Sequence, residues 1–335
     1  MRFDEAVDQF LLDLEVRGRS VGTVQLYRRV LSLLARWLVG KGVEHLEAVT
    51  LFHLREFLQF LRSSSSEDRG IAGGGQRRLA LSTFVLHVSL IKAFFRWCHE
   101  ERLLDSDPSG RLRKPKLEKR VKLTLRPEQV EALLGACDVS TRDGLRDYAI
   151  VAVLLDTGIR VSELVGLELS DLDLRHRCLK VRGKGRKERV VGLYPAVVKV
   201  LFRYLQVARP RFASVSYSSR LFLGRRGPLT VRGVRFILDR LVRSAGLESQ
   251  VERGECPRVH PHVFRHTFAK QYLLAGGDLF KLSTTLGHAS VQVTSEVYLS
   301  DFRSADALVD HDQYSPARRV RFPSGRQVRR GRLES

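Results

Sequence analysis

At 335 residues, 43% of them hydrophobic, the chain can bury one ordinary core and more naturally two. Lys and Arg number 58 against 37 Asp and Glu, a net charge of +21 with a pI near 10.5, so the partner is expected to be a polyanion. The cations are spread along the whole chain, which suits wrapped nucleic acid better than a flat membrane surface, where one basic face or tail is enough.

Cys98, Cys137, Cys178 and Cys256 are scattered without a C-x-x-C pair, so neither a zinc site nor a disulfide frame is expected. The first ten residues, MRFDEAVDQF, turn acidic at once, unlike a signal peptide. No apolar run reads as a membrane span, and the expectation is a cytoplasmic protein with no membrane partner.

In chain order, residues 4–17 have the spacing of a short amphipathic helix, with Val7, Phe10, Leu11 and Leu14 on one face and Gly18 as its stop. A longer helix is predicted over 21–39, with Val24, Tyr27, Leu31, Leu34 and Leu38 as its stripe and Gly40 and Gly42 after it. Thr50 can cap a third helix over 51–61. The stretch SSSSEDRGIAGGG, from residue 63, has no periodicity and reads as a loop. Phe84, Val88, Ile91, Phe95 and Cys98 then follow helical spacing, completing a four-helix unit. No catalytic constellation falls here, so the unit is a protein-interaction bundle or a DNA-binding one; Gln76, Arg77, Arg78, Lys92 and Arg96 favour DNA. Residues 105–120, DSDPSGRLRKPKLEKR, read as a basic linker able to lie along a phosphate backbone.

From Leu123 the pattern becomes compact again. PEQVEALLGAC reads as a short helix with Pro127 at its start, and RDGLRDYAIVAVLLDTG as a buried helix ending at Gly158. Arg160 lies between that apolar helix and a second apolar turn, so it is expected to be part-buried with an anionic partner, either Glu163 or a phosphate. Strand-like alternation flanks GKGRKE, a β-hairpin with Lys184 at its tip between two glycines. Alone this reads equally as a solvated turn. Residues 195–208 are expected to be a structural helix, 211–228 a loop, and 231–244 a helix whose arginines Arg232, Arg235, Arg240 and Arg243 either enter a groove or face water.

Residues 260–299, HPHVFRHTFAKQYLLAGGDLFKLSTTLGHASVQVTSEVYL, concentrate phosphate chemistry. His262 precedes Arg265 by one helical turn, Gly287-His288 follows, and Tyr298 closes the stretch. A guanidinium forks two donors onto phosphate oxygens, an imidazole donates a third, and a phenolic oxygen can displace an alcohol from phosphorus.

With Arg160, Lys184, His262, Arg265, His288 and Tyr298 in place, the chain resembles the tyrosine recombinases of the phage-integrase and Xer type. The carrying pieces are T-G-I-R-x-S-E-L, the G-K-G hairpin, P-H-x-x-R-H-T-F-A, L-G-H-x-S and the final tyrosine, in the family's order over roughly residues 1–300. The resemblance implies a mainly α fold with a small β-sheet in the catalytic domain: a two-domain clamp with an N-terminal four-helix core-binding (SAM-like) domain over 1–104, a linker over 105–122, a catalytic domain over 123–311 and a basic tail over 312–335. It implies site-specific recombination, with DNA strands cut and rejoined through a 3′-phosphotyrosyl bond on Tyr298 and exchanged through a Holliday junction. Arg160, Arg265 and His288 would hold the phosphate, Lys184 would protonate the departing 5′-oxygen and His262 would serve the tyrosine as base or relay. No cofactor, metal or ATP is expected. The expected partner is double-stranded DNA carrying a recombination site, bound by a tetramer on two duplexes, with room for an accessory or partner recombinase. A short helix over 302–310 would dock on the neighbouring subunit.

Two features depart from the family's commonest pattern. Ten residues separate His288 from Tyr298, one more than usual, and the only later tyrosine, Tyr314, lies in a polar, proline-punctuated tail. Two rival readings stand beside recombination: relaxation of a single strand in the manner of a type IB topoisomerase, and a DNA-binding protein that keeps the fold without the chemistry.

Overall fold

Four helices with the expected apolar stripes build the first third of the chain: α1 (Phe3–Val16), α2 (Val21–Val39), α3 (Leu51–Ser63) and α4 (Leu81–Glu100). They are seen in a computed structural model that describes residues 1–64, 79–116, 123–183, 187–212, 218–287 and 290–298, and in which the chain forms two compact units, Met1–Lys119 and Arg120–Ser335. Helix starts follow local chemistry. Ser20 Oγ accepts the Thr23 amide at 3.3 Å and Thr50 Oγ1 the His53 amide at 3.3 Å, each satisfying a donor that the first turn leaves without a partner. The core of this unit is aromatic, with Phe94 meeting Phe3 and Phe10 edge to face at 5.5 Å.

Helix α4 corrects the membrane reading in one respect: by length and composition alone it is apolar enough to cross a bilayer. Most of its large apolar residues are nevertheless spent on the core, since Phe84, Val88, Leu90, Ile91, Phe94, Phe95, Trp97 and Cys98 are buried, while Leu81 and Leu86 are exposed. Lys92 also differs from expectation. Its ammonium donates to the carbonyls of Ser109, Gly110 and Leu112 at 2.9–3.0 Å, and Leu112 is buried in the same core. Lys92 therefore holds the start of the segment read as a linker, through charge-assisted bonds of about 1.5–3 kcal/mol each. The loop after α3 lies mostly outside the described residues.

The second unit is organised on the buried helix α6 (Arg142–Thr157), preceded by α5 (Pro127–Gly135) and followed by the short α7 (Val161–Gly166). Three antiparallel strands come next, β1 (Leu172–Asp173), β2 (Cys178–Arg182) and β3 (Glu188–Gly192), in the order β1-β2-β3 with Leu179 opposite Val191. Then follow α8 (Pro195–Arg203), continued by a π-helical turn to Ala208, and α9 (Val231–Ser244), α10 (Glu248–Glu252), α11 (Pro261–Leu274), α12 (Leu279–Leu286) and α13 (Val291–Tyr298). Helix α6 packs against α8 and α11.

Part of the predicted 211–228 loop is core. Leu221, Phe222 and Leu223 are buried, Tyr204 Oη donates to Leu221 O at 3.0 Å, and Arg209 donates to Ser218 O and Arg220 O. The polar composition hid this because the segment is held by side chains distant in sequence. Arg240, part-exposed, reaches inward: it pairs with the fully buried Asp147, which also takes Arg146 at 2.8 Å, and so pins α9 to α6. The exposed face of α9 is left with Arg232, Arg235, Phe236, Asp239 and Arg243.

Candidate active site

Two helix ends make the floor of the site. Helix α6 stops at Gly158 (φ 60°) and α12 at Gly287 (φ 64°), both in the left-handed region that a residue with a Cβ enters at a cost. Each end leaves carbonyls without intrahelical partners and carries the negative end of the helix dipole. Arginines take up these carbonyls. Arg265, on α11 and only 5% exposed, donates through Nη1 to Gly158 O at 2.9 Å and through Nη2 to Leu286 O at 2.7 Å. It thereby ties both helix ends to α11.

Arg160 stands at the start of α7 and meets the anionic partner expected of it. Its Nη1 lies 3.0 Å from Glu163 Oε1 and its own amide donates to Glu163 Oε2 at 2.8 Å, while Nη2 approaches Gly287 O at 3.4 Å. The Arg160 side chain is 34% exposed and that of Glu163 3%, so the carboxylate is internal while the guanidinium still opens to solvent.

Glu163 has a second cation that the sequence reading did not single out. Arg189, on β3, grips both carboxylate oxygens, Nη1 to Oε1 at 2.9 Å and Nη2 to Oε2 at 2.8 Å, and donates through Nε to Thr285 O at 2.6 Å. Burial alone would raise the Glu163 pKa, but hydrogen bonds from Arg189 and the Arg160 amide, with the charges of both arginines, outweigh it and hold the carboxyl below its usual range. A signal for Arg189 was available. In a strand, residues two apart share a face, so Arg189 lies on the face of buried Val191 while the apolar Val190 points to solvent, 66% exposed. A guanidinium on the core side of a strand calls for a buried anion.

His262 sits on the first turn of α11, its ring 6.2 Å from that of His260 and edge to face with it. Partial desolvation, followed by the positive surroundings of His260, Arg265, Arg160 and Arg235, lowers its pKa from the usual 6.5, so the ring is neutral at physiological pH. Arg160, His262 and Arg265 thus come to one place. Tyr298 is the last residue of α13, which packs against α11 and α12. Lys184 and His288 lie outside the described residues, as do Tyr314, the 302–310 segment and the basic tail. The strands that flank Lys184 are described and form the expected hairpin, closed by Gly183 N donating to Lys187 O at 2.8 Å.

Residues 124–304 match the phage integrase family, and residues 7–102 match its N-terminal SAM-like domain. Among curated proteins the chain is 34% identical over 315 residues to tyrosine recombinase XerD of Proteus mirabilis, covering 93% of each chain. It is 34% identical over 292 residues to tyrosine recombinase XerC of Oceanobacillus iheyensis, covering 86% of this chain and 89% of the relative. Among solved structures, the fold is similar to that of the Tn1549 transposon integrase in complex with transposon right end DNA, with a TM-score of 0.71 at 21% identity over 93% of this chain and 99% of that one. It is also similar to the XerH site-specific recombinase bound to palindromic difH substrate, with a TM-score of 0.67 at 19% identity over 89% and 82% of the two chains. The motifs from Arg160 to Tyr298, the helical fold with its small sheet, and these likenesses over nearly the whole length agree: the chain belongs to the phage integrase family of tyrosine recombinases.

Proposed function

We propose that the protein is a site-specific recombinase that cuts and rejoins duplex DNA through a covalent bond to Tyr298. The observation that carries this reading is the meeting of Arg160 and Arg265 at the helix end that precedes His288, with His262 one turn before Arg265 on α11, in a chain whose next helix terminates on Tyr298. Arg160 and Arg265 take the non-bridging oxygens of the scissile phosphate and His288 donates a third bond, so that donors fixed before the reaction meet the charge that builds on phosphorus. One such donor contributes about 10²–10³ in rate. Tyr298 attacks in line, its proton passing to His262, which is neutral and able to accept it. The 5′-oxygen departs with a proton from Lys184, leaving a 3′-phosphotyrosyl bond and a free 5′-hydroxyl. That bond keeps the phosphodiester energy, so rejoining consumes no ATP, and the guanidiniums supply the positive charge that a divalent ion supplies elsewhere.

Exchange of strands follows when the 5′-hydroxyl of a second duplex attacks the phosphotyrosine. Two rounds through a Holliday junction require four active sites, hence a tetramer on two duplexes. The similarity to tyrosine recombinases XerD and XerC supports recombination as the activity; the same reading includes an accessory or partner recombinase in the ring and work at the DNA in the cytoplasm. In this reading residues 1–104 form the core-binding half, 105–122 the linker, 123–311 the catalytic half and 312–335 a phosphate-seeking tail.

Two surfaces support DNA as the partner. A groove of about 970 Å³ in the N-terminal unit is lined by Arg55, Arg62, Arg111 and Arg113, with Arg62 stacked over Phe84. In the second unit, the face of α9 left exposed carries Arg232, Arg235 and Arg243, side chains suited to phosphates and to guanine edges in a major groove.

Incubation with a nicked suicide duplex tests the reading. Covalent adducts and Holliday junctions are expected. Relaxation without strand exchange would mean a topoisomerase, and binding without any adduct a non-catalytic DNA-binding protein.

A further inference from the structure

We propose that Arg189 is a positioning residue that neutralises Glu163 and so leaves the charge of Arg160 uncompensated and its guanidinium aimed for the phosphate, while fixing the helix end that leads to His288. The proposal rests on the recombinase reading above.

The geometry argues for a role through other groups. Arg189 commits all three of its nitrogens to the protein, two to Glu163 and one to Thr285 O, so its fork is occupied by the acid and not turned to a substrate. Its partners belong to the elements that build the site. Glu163 lies one helical turn from Arg160 on α7. Thr285 is in the last turn of α12, beside the Leu286 and Gly287 carbonyls that receive Arg265 and Arg160. Packing on both sides is close: a Cβ at Gly287 would stand 3.0 Å from Arg189 Nη1, and one at Gly183, at the base of the hairpin, 3.6 Å from Glu163 Oε1.

Charge balance explains why two arginines share one acid. Glu163 accepts four hydrogen bonds, two on each oxygen, and only one comes from the Arg160 side chain. Without Arg189 the internal carboxylate would keep a single cationic partner. Arg160 would be drawn onto it bidentately and its field cancelled where the phosphate has to bind. With Arg189 in place the three side chains sum to +1, and the excess sits on the member that opens to solvent.

The test compares the wild type with R189Q, R189K, E163Q and the double variant R189Q/E163Q in single-turnover cleavage of a suicide duplex, with DNA affinity measured separately. Loss of a preorganised donor predicts cleavage about 10²-fold slower in R189Q with affinity unchanged. R189K, which keeps the charge but not the fork, is expected to fall between R189Q and wild type and covers the case in which R189Q does not fold. The double variant is expected to cleave faster than R189Q, because the acid that would capture Arg160 is gone. Wild-type cleavage by R189Q, or additive losses in the double variant, would overturn the proposal. If the wild-type protein forms no adduct, the recombinase reading fails, and hydrogen exchange still tests the clip: faster exchange in R189Q over both α7 and the last turn of α12 supports it, and unchanged exchange refutes it.

Discussion

Arg160 and Arg265, far apart in the chain, rest on neighbouring carbonyls of one helix end: Arg160 Nη2 lies 3.4 Å from Gly287 O and Arg265 Nη2 2.7 Å from Leu286 O. The separation of the two guanidiniums is therefore set by a backbone turn, which bends less readily than side chains do. The longer Arg160 contact is the weaker one, and that arginine is the one a phosphate can most easily draw away.

Gly287→Ala tests the turn. The substitution puts a Cβ into a left-handed backbone, at about 1–2 kcal/mol, and 3.0 Å from Arg189 Nη1. Thermal melting should drop by about 2–4 °C per kcal/mol for a domain of this size, and single-turnover cleavage should fall at least about tenfold as the donors shift. Unchanged melting and cleavage would mean that the turn does not set the arginines.

Glu163→Gln tests the buried acid through pH. A carboxyl whose pKa is lower when folded than unfolded adds stability above its unfolded value, near 4.5, and that stability drains away as pH falls through the folded value. The melting difference between wild type and E163Q should be largest at neutral pH and should shrink as pH falls below 4.5. A difference independent of pH would show that the variant acts through packing alone.

His262 should set the acid limb of cleavage. Its pKa is lowered from 6.5 by partial desolvation and by its cationic neighbours, so it keeps its ability to accept a proton below that pH. Adduct formation should hold steady as pH drops through 6.5 and decline further down, and H262Q should be slower by about 10²-fold with that limb removed. A limb above 6.5, or one retained in H262Q, assigns the titration to another group.

Lys184→Ala should slow cleavage of ordinary DNA and recover on a substrate whose 5′-bridging oxygen is replaced by sulfur, a leaving group that needs no proton. General-acid assistance is worth about 10²–10⁴ in rate. Equal impairment on both substrates would remove Lys184 from that role.

Much of this arrangement was legible in the residues. Helix α2 spans Val21–Val39, where its apolar stripe and following glycines put it, and α9 spans Val231–Ser244. Arg160 reads as part-buried with an anionic partner, Glu163 or a phosphate, and in the fold it meets Glu163. The less legible features all depend on contacts remote in sequence. Arg189 reads as one more cation of a basic hairpin until Glu163 and Thr285 are brought beside it, although its place opposite Val190 in the strand alternation hinted at an inward charge. Lys92 reads as favouring DNA and Arg240 as either entering a groove or facing water, yet each is bound to the fold, Lys92 to the carbonyls of Ser109, Gly110 and Leu112 and Arg240 to Asp147. Local pattern reports which face of a helix is apolar; it does not report which polar group on another element will claim a given cation.

The most direct test of the account is the identity of the residue that becomes bonded to DNA. Wild-type protein trapped on a suicide duplex, digested and sequenced by mass spectrometry, should carry a single nucleotide-linked peptide modified at Tyr298, and Tyr298→Phe should bind the same duplex with unchanged affinity and yield no adduct. Attachment at Tyr314, or an adduct that survives in Tyr298→Phe, would contradict it.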